Sequence, residues 1–211
     1  MRLFHDPPLP SPIGQAGMSR ENYAGFFWEF VRDRRAGGAV APSSQRLARH
    51  TVNAIDWSRV QRLVDYGPGT GAITEAIMER KPPQVDFFGI ELNTRFVAEL
   101  KERFTGMTVF NDSVANVGQL ATSLGWPHVD AVISGLPWSS FTEGQQDEYL
   151  DAMQRALSPH GQFATYAYLT GLPLPAAKRF RAKLHQYFPH VKRTRTIWRN
   201  VPPAFVYYCS K

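Results

Sequence analysis

Asp65-Tyr66-Gly67-Pro68-Gly69-Thr70-Gly71 is the stretch that decides how this chain folds. It follows a short apolar run, Leu63–Tyr66, and leads into a helical pattern over Ala72–Arg80. Glycines at alternate positions let the backbone turn sharply and approach a ligand where a Cβ would clash. A strand feeding such a turn at a helix start is the usual cradle of nucleotide-type ligands. The dinucleotide fingerprint is G-x-G-x-x-G. Here the spacing is G-x-G-x-G, with an acid two residues before the first glycine, a departure from that pattern.

Two further acids extend the cradle. Glu91 closes the next apolar run, Val85–Glu91, 20 residues after Gly71, the place for a carboxylate that grips ribose hydroxyls. Asp112, in Asn111-Asp112-Ser113, follows a third run, Thr108–Phe110, where it can accept from an adenine amino group. Three successive strand ends with these features make a far more specific signal than one glycine turn.

Outward from there the pattern alternates. Helices are predicted over Thr94–Phe104, near Val114–Leu124, over Gln145–Leu157 and over Ala176–Tyr187, and strands over Val129–Ser134 and Phe163–Tyr168. Repeated strand–helix units imply a doubly wound, mostly parallel sheet with helices on both faces. Two late strands, Val191–Trp198 and Ala204–Cys209, are joined by too short a link for a crossover helix and must be antiparallel. Upstream, Ala41-Pro42-Ser43-Ser44 starts a short helix carrying Leu47, Ala48, Thr51 and Val52. The proline-rich first 17 residues read as an arm, followed by a helix from Ser19 to about Arg35. The division is an arm plus amphipathic helix over 1–37 and a catalytic domain over 38–211.

The chain's 211 residues, 43% hydrophobic, suit one domain with one core. Its net charge of +6 is unevenly spread: all 18 carboxylates lie at or before Asp151, and the last 60 residues hold ten Lys/Arg and no acid. An acid-free basic third suits an anionic partner and excludes an acidic, solvating protein. The single cysteine, Cys209, excludes a disulfide framework or a cysteine metal cluster, and no metal is expected. No membrane-spanning run or apolar leader is present, so a cytoplasmic setting is the expectation.

The glycine loop and the two acids together resemble the class I S-adenosylmethionine (SAM) methyltransferases over roughly residues 40–211. The resemblance implies SAM as cofactor and a Rossmann-like, seven-stranded sheet. Asp65, Gly67, Gly69, Thr70 and Gly71 would form the first motif, with Glu91 at the ribose, Asp112 with Ser113 at the adenine, and Ser134 also at the cofactor. The fourth strand closes on Ser134-Gly135-Leu136-Pro137-Trp138. Adenine N6-methyltransferases carry Asn-Leu-Pro-Tyr or Asp-Pro-Pro-Tyr at this point, with the Asn or Asp accepting from the target amine. Gly135 stands in that register here, which counts against adenine unless Ser134 shifts to supply the acceptor.

Three segments instead resemble the bacterial phospholipid N-methyltransferases: Gly38-Ala39-Val40-Ala41-Pro42-Ser43-Ser44, Ser134-Gly135-Leu136-Pro137, and Arg199-Asn200-Val201-Pro202-Pro203-Ala204-Phe205-Val206-Tyr207. This resemblance implies stepwise methylation of phosphatidylethanolamine towards phosphatidylcholine, or of a related amino lipid. Tyr168, Pro137 and Trp138 would then stand at the reacting centre, and Arg199, Asn200, Tyr166 and Tyr207 at the substrate. The residue chemistry agrees. Arg199, Arg195 and Lys192 suit a phosphate. Trp138, Tyr166, Tyr168 and Tyr207 suit a methylated ammonium, at about 0.5–2 kcal/mol per cation–π contact. Membrane contact is expected from Tyr23, Phe26, Phe27, Trp28, Phe30, Arg34 and Arg35, an aromatic stripe with basic flanks. The partners expected are an amino phospholipid and the anionic inner face of the cell membrane, bound peripherally by a monomer, with no nucleic acid. The alternative is a nucleic-acid adenine N6-methyltransferase.

Overall fold

The computed structural model describes residues 42–211. The arm, the Ser19–Arg35 helix and the seven membrane-contact residues expected on it lie outside the described residues. Seven strands form one sheet: β1 (Arg62–Tyr66), β2 (Asp86–Ile90), β3 (Thr108–Phe110), β4 (Val129–Ser134), β5 (Leu157–Tyr168), β6 (His190–Arg193) and β7 (Ala204–Ser210). Their order is β3-β2-β1-β4-β5-β7-β6. The β1–β5 pairings are all parallel, and β7 runs antiparallel to both β5 and β6. This is the expected doubly wound sheet with one reversed strand near its end.

Among the described residues six α-helices cover it: α1 (Pro42–Val52), α2 (Ala72–Arg80), α3 (Thr94–Arg103), α4 (Val117–Ser123), α5 (Glu143–Ala156) and α6 (Pro175–Tyr187). Period-2 alternation along the strands divides their side chains between two faces. On one face, Leu63, Ile133, Ala164 and Val206 pack with Leu47 and Val52 of α1 and Ile73 and Ile77 of α2. On the other, Val64, Phe88, Val132, Phe163 and Phe205 pack with Val117, Leu150, Met153, Phe180 and Leu184 of α4–α6. Polar ties fix the sheet end remote from the glycine turn. The Asp130 carboxylate accepts from the Gln61 and Arg62 amides at 3.1 and 3.0 Å, and the buried Gln162 amide exchanges two bonds with the Asp56 backbone.

Three elements differ from the sequence reading, each for a local reason. The helix expected from Val114 opens as a 3-10 turn over Val114–Asn116, capped by Ser113, and becomes α-helical only at Val117. β5 begins at Leu157 and not at Phe163, because Leu157 still pairs with Val129 before the register shifts through a segment containing Pro159 and Gly161. β6 stops at Arg193 and not at Trp198. The Thr194 hydroxyl there accepts the Val206 amide at 2.9 Å in place of a ladder carbonyl, and only Ile197 rejoins the sheet, opposite Ala204.

Phe163 is fully buried, stacked at 6.0 Å on Phe188 and edge-on to Trp138 at 5.8 Å. Phe163→Ala is therefore expected to cost about 3–5 kcal/mol of stability, read as a lowered urea midpoint with an unchanged slope.

Candidate active site

The parallel strands end on one rim, and that rim carries the glycine turn. Gly67, Gly69 and Gly71 all have positive φ, at 67°, 55° and 82°, the left-handed region open to glycine. A Cβ on Gly67 would run into Leu136 Cδ2, so the turns after β1 and β4 touch and only a bare backbone fits between them. The three acids at the strand ends are built in around this turn. Glu91 is 3% exposed, and its Oε2 accepts the Gly69 amide at 2.9 Å while Oε1 accepts the Asn93 amide at 2.9 Å. Burial raises its pKa, and the amide bonds oppose that rise. Each carboxylate oxygen has two acceptor directions, so both oxygens keep capacity for a sugar hydroxyl.

Asp65 is fully buried. Its Oδ2 accepts from the Thr74 hydroxyl at 2.7 Å, and Oδ1 has no hydrogen-bond partner among the described residues. Burial pushes the carboxyl up to about 7, with Thr74 opposing the rise and Glu91 adding to it. A buried oxygen left over beside a glycine cradle fits a donor-bearing or cationic ligand group. Asp112 Oδ1 accepts from the Ser113 amide at 2.6 Å and from Asn116 Nδ2 at 2.8 Å. Ser113 itself caps the following turn through the Ala115 amide. Thr70 contributes its carbonyl to Arg103 at 3.0 Å. The residues thus brought together on β1–β3 fit a nucleoside cofactor with a cationic amino-acid portion, namely SAM.

Sequence reasoning missed the second layer of this cradle. Thr74 holds Asp65, and Asn111 Nδ2 clamps the Glu91 and Leu92 carbonyls at 3.0 and 2.9 Å. A hydroxyl one helical turn into α2 and an Asn beside the third acid were the signals available for them.

The acceptor side needs corrections. Trp138 is 3% exposed and lies flat on Phe180 at 4.8 Å, with Phe141, Tyr149 and Phe163 edge-on. Its ring is core of the α5–α6 face and presents no surface to a ligand. Ser134 is fully buried too, and its hydroxyl accepts the Leu136 amide at 3.2 Å and Trp138 Nε1 at 3.1 Å. It braces the 134–138 turn and is spent as an acceptor for amine or cofactor. Tyr207 is buried on that same face beside Phe205 and Phe180, and it lies three residues along β7 from the rim, about 10 Å. Asn200 is buried, and its Nδ2 donates to the Pro202 carbonyl at 2.6 Å, closing its own loop across the cis Val201–Pro202 bond.

Tyr166 and Tyr168 do share one side of β5, half-buried, with rings edge-on at 5.7 Å. They lie on the α1–α2 face, opposite Trp138 and Tyr207, so the four aromatics cannot line one cleft. Pro137 stays half-buried at the rim, and Arg199 is exposed on the 194–203 loop.

Comparison with known proteins agrees with this geometry. Residues 63–161 match the methyltransferase domain family model. The chain is 31% identical over 187 residues to the ornithine lipid N-methyltransferase of Singulisphaera acidiphila, covering 87% of this chain and 93% of that protein. A shorter stretch of 90 residues is 31% identical to ribosomal RNA small subunit methyltransferase A of Prochlorococcus marinus, 41% of this chain and 30% of that one. Among solved structures, the 1,6-didemethyltoxoflavin-N1-methyltransferase of Burkholderia thailandensis superposes with a TM-score of 0.61 at 16% identity, over 97% of this chain and 93% of that one.

Two outcomes follow from the cradle. Glu91→Ala removes both an acceptor and the clamp on the glycine turn, so SAM affinity by calorimetry should fall about tenfold to a hundredfold. For Asp65, the folded-state pKa lies above the ordinary carboxylate value, so the native state binds this proton more tightly than the unfolded chain. Its contribution to stability is full below about pH 4 and is lost as pH rises through about 7. Urea unfolding without ligand should therefore show stability falling over that window in the parent and a flatter profile in Asp65→Asn. Parallel profiles would show the carboxyl to be solvated. Cradle, fold and near full-length kinship together place the chain in the class I SAM-dependent methyltransferases, as an N-methyltransferase of the family that includes the Singulisphaera acidiphila enzyme.

Proposed function

We propose that this enzyme methylates the amine of a membrane lipid headgroup, phosphatidylethanolamine or an ornithine-type lipid, working as a peripheral protein on an anionic membrane. The observation that carries the reading is the kinship along nearly the whole chain with a lipid N-methyltransferase. When bound, SAM supplies an electrophilic methyl group on a sulfonium. The chain has then to orient a neutral amine in line with it and keep water away.

Both headgroup types pair an amine with an anion, phosphate in one and carboxylate in the other. A guanidinium matches either in bidentate fashion, and Arg199 is exposed on the rim for that task. Tyr166 and Tyr168 offer two half-buried rings for the methylated ammonium. Pro137 walls the same rim at the end of β4.

The ribosomal RNA enzyme's local match supports a second reading, base methylation. Gly135 weighs against it. A Cβ there would sit 3.0 Å from the Gly67 carbonyl and 3.4 Å from Ile73 Cδ1, so a side chain that holds a target base amine would fit only if the glycine turn gave by a few tenths of an ångström. With Ser134 spent on its own turn, no substitute acceptor stands at that position.

Incubation with methyl-labelled SAM and vesicles of phosphatidylethanolamine or ornithine lipid, with ribosomal RNA as a parallel substrate, tests this. Label is expected in the lipid extract, and label in RNA alone would overturn the reading. Arg199→Ala should cut lipid turnover by about tenfold or more while leaving SAM affinity unchanged.

A further inference from the structure

The loops that follow β5 and β6 leave large apolar side chains in water. Trp198 is 72% exposed, Val201 81% and Leu174 49%. Single exposed apolar residues are ordinary on a protein surface, but a cluster on one edge is not. Topology brings the two loops that carry them to one rim. β7 is antiparallel to β5 and β6, so the 194–203 loop leaves β6 and enters β7 at the rim where β5 ends, with Tyr168 opposite Ala204. The Leu169 amide then donates to the Pro203 carbonyl at 2.9 Å, tying the 169–174 loop to the 194–203 loop.

The apolar tips are held out by their neighbours. Ile197, buried and paired with Ala204, anchors one side of Trp198, and buried Asn200, bonded to Pro202, anchors one side of Val201. The 169–174 loop is similarly braced, with the Leu174 amide donating to the Gly171 carbonyl at 3.0 Å. Charge completes the surface. Arg195 and Arg199 are exposed beside Trp198, and Lys178 and Arg179 lie near the start of α6, whose first turn holds no acid. Cations near the positive end of a helix dipole are unfavourable alone and are relieved by an external anionic surface.

We propose that Leu174, Trp198 and Val201 form a membrane-docking edge that inserts into the headgroup layer of an anionic bilayer, with Arg195 and Arg199 on the lipid phosphates. An indole suits the headgroup level, and basic side chains beside it add attraction to anionic lipid. The edge belongs to the same rim as the glycine turn and Tyr168, so docking turns the acceptor side of the site towards the bilayer. This inference rests on the lipid-methylating reading.

The test uses the full chain and vesicles of phosphatidylcholine containing phosphatidylglycerol. Trp198→Ser with Val201→Ser should weaken co-sedimentation about tenfold, with SAM affinity and thermal midpoint unchanged because both side chains are exposed. Trp198→Phe should retain vesicle affinity. Bromine-labelled lipid should quench the parent's fluorescence more than that of Trp198→Phe, which isolates this residue among the five tryptophans. Unchanged vesicle affinity in the double variant, equal quenching, or preference for ribosomal RNA over vesicles would overturn the docking edge. The function is read separately, on the parent with vesicles that also contain phosphatidylethanolamine or ornithine lipid, whose amines can accept a methyl group: vesicle binding lost in the double variant, with no methyl label entering lipid in the parent, would sustain the edge and refute the lipid-methylating reading.

Discussion

The bond from the Gly69 amide to Glu91 is the interaction on which the rest of the site depends. It joins the turn after β1 to the end of β2, and the same carboxylate holds the Asn93 amide at the start of α3. A left-handed glycine turn costs conformational entropy and has little side-chain packing to hold it. A buried carboxylate accepting its amide supplies a charge-assisted anchor in a low-dielectric setting. Glu91 therefore shapes the cradle before any ligand enters, and the contact between Gly67 and Leu136 carries that shape across to the acceptor turn.

The fold was largely legible because its signals are local. Apolar runs, alternating periods and a glycine turn mark strands and helices one at a time, and the right order of elements follows. The placement of the acids was legible for the same reason: Asp65, Glu91 and Asp112 each sit at a strand end, where a parallel sheet presents its ligands. The acceptor side depends on register and on facing, which no local pattern shows. Tyr166 and Tyr207 look alike in sequence, yet β5 aims one at α1–α2 and β7 aims the other at α6. Trp138 looked like a ligand-facing aromatic because it follows Pro137, but the Ser134 brace folds the turn back and drops the indole into the core.

Charge counting needed similar sorting. Of the ten cations in the acid-free last third, Lys183 is buried in an ion pair with Asp147, and Lys211 donates to the Gln154 and Leu157 carbonyls at 2.7 and 3.0 Å. Those two hold structure and offer nothing to a partner. Arg193 lies 3.9 Å over the Phe205 ring and covers the sheet. Arg155, Lys178, Arg181 and Lys192 are exposed on other elements, and Arg195 and Arg199 are the two exposed on the rim loop, which localises part of the basic third there.

The reversed strand explains why that localisation matters. Had the chain continued with one more parallel strand, the segment entering it would have lain at the opposite edge of the sheet, remote from the glycine turn. Inserting β7 antiparallel between β5 and β6 brings Arg199, Asn200 and the residues around them back to the end that carries Tyr168. The acids of β1–β3 and the cations after β6 then face one rim from its two halves, with the β4 turn between them. In the proposed reaction a cationic donor would lie on the acid side and an anionic headgroup on the basic side, with the packed turns at Gly67 and Gly135 between them. Keeping the two sets of charges on separate ends of the sequence prevents the acids from pairing with the cations, and the like-charge repulsion that remains among the acids shows in Glu91 adding to the rise of the Asp65 carboxyl.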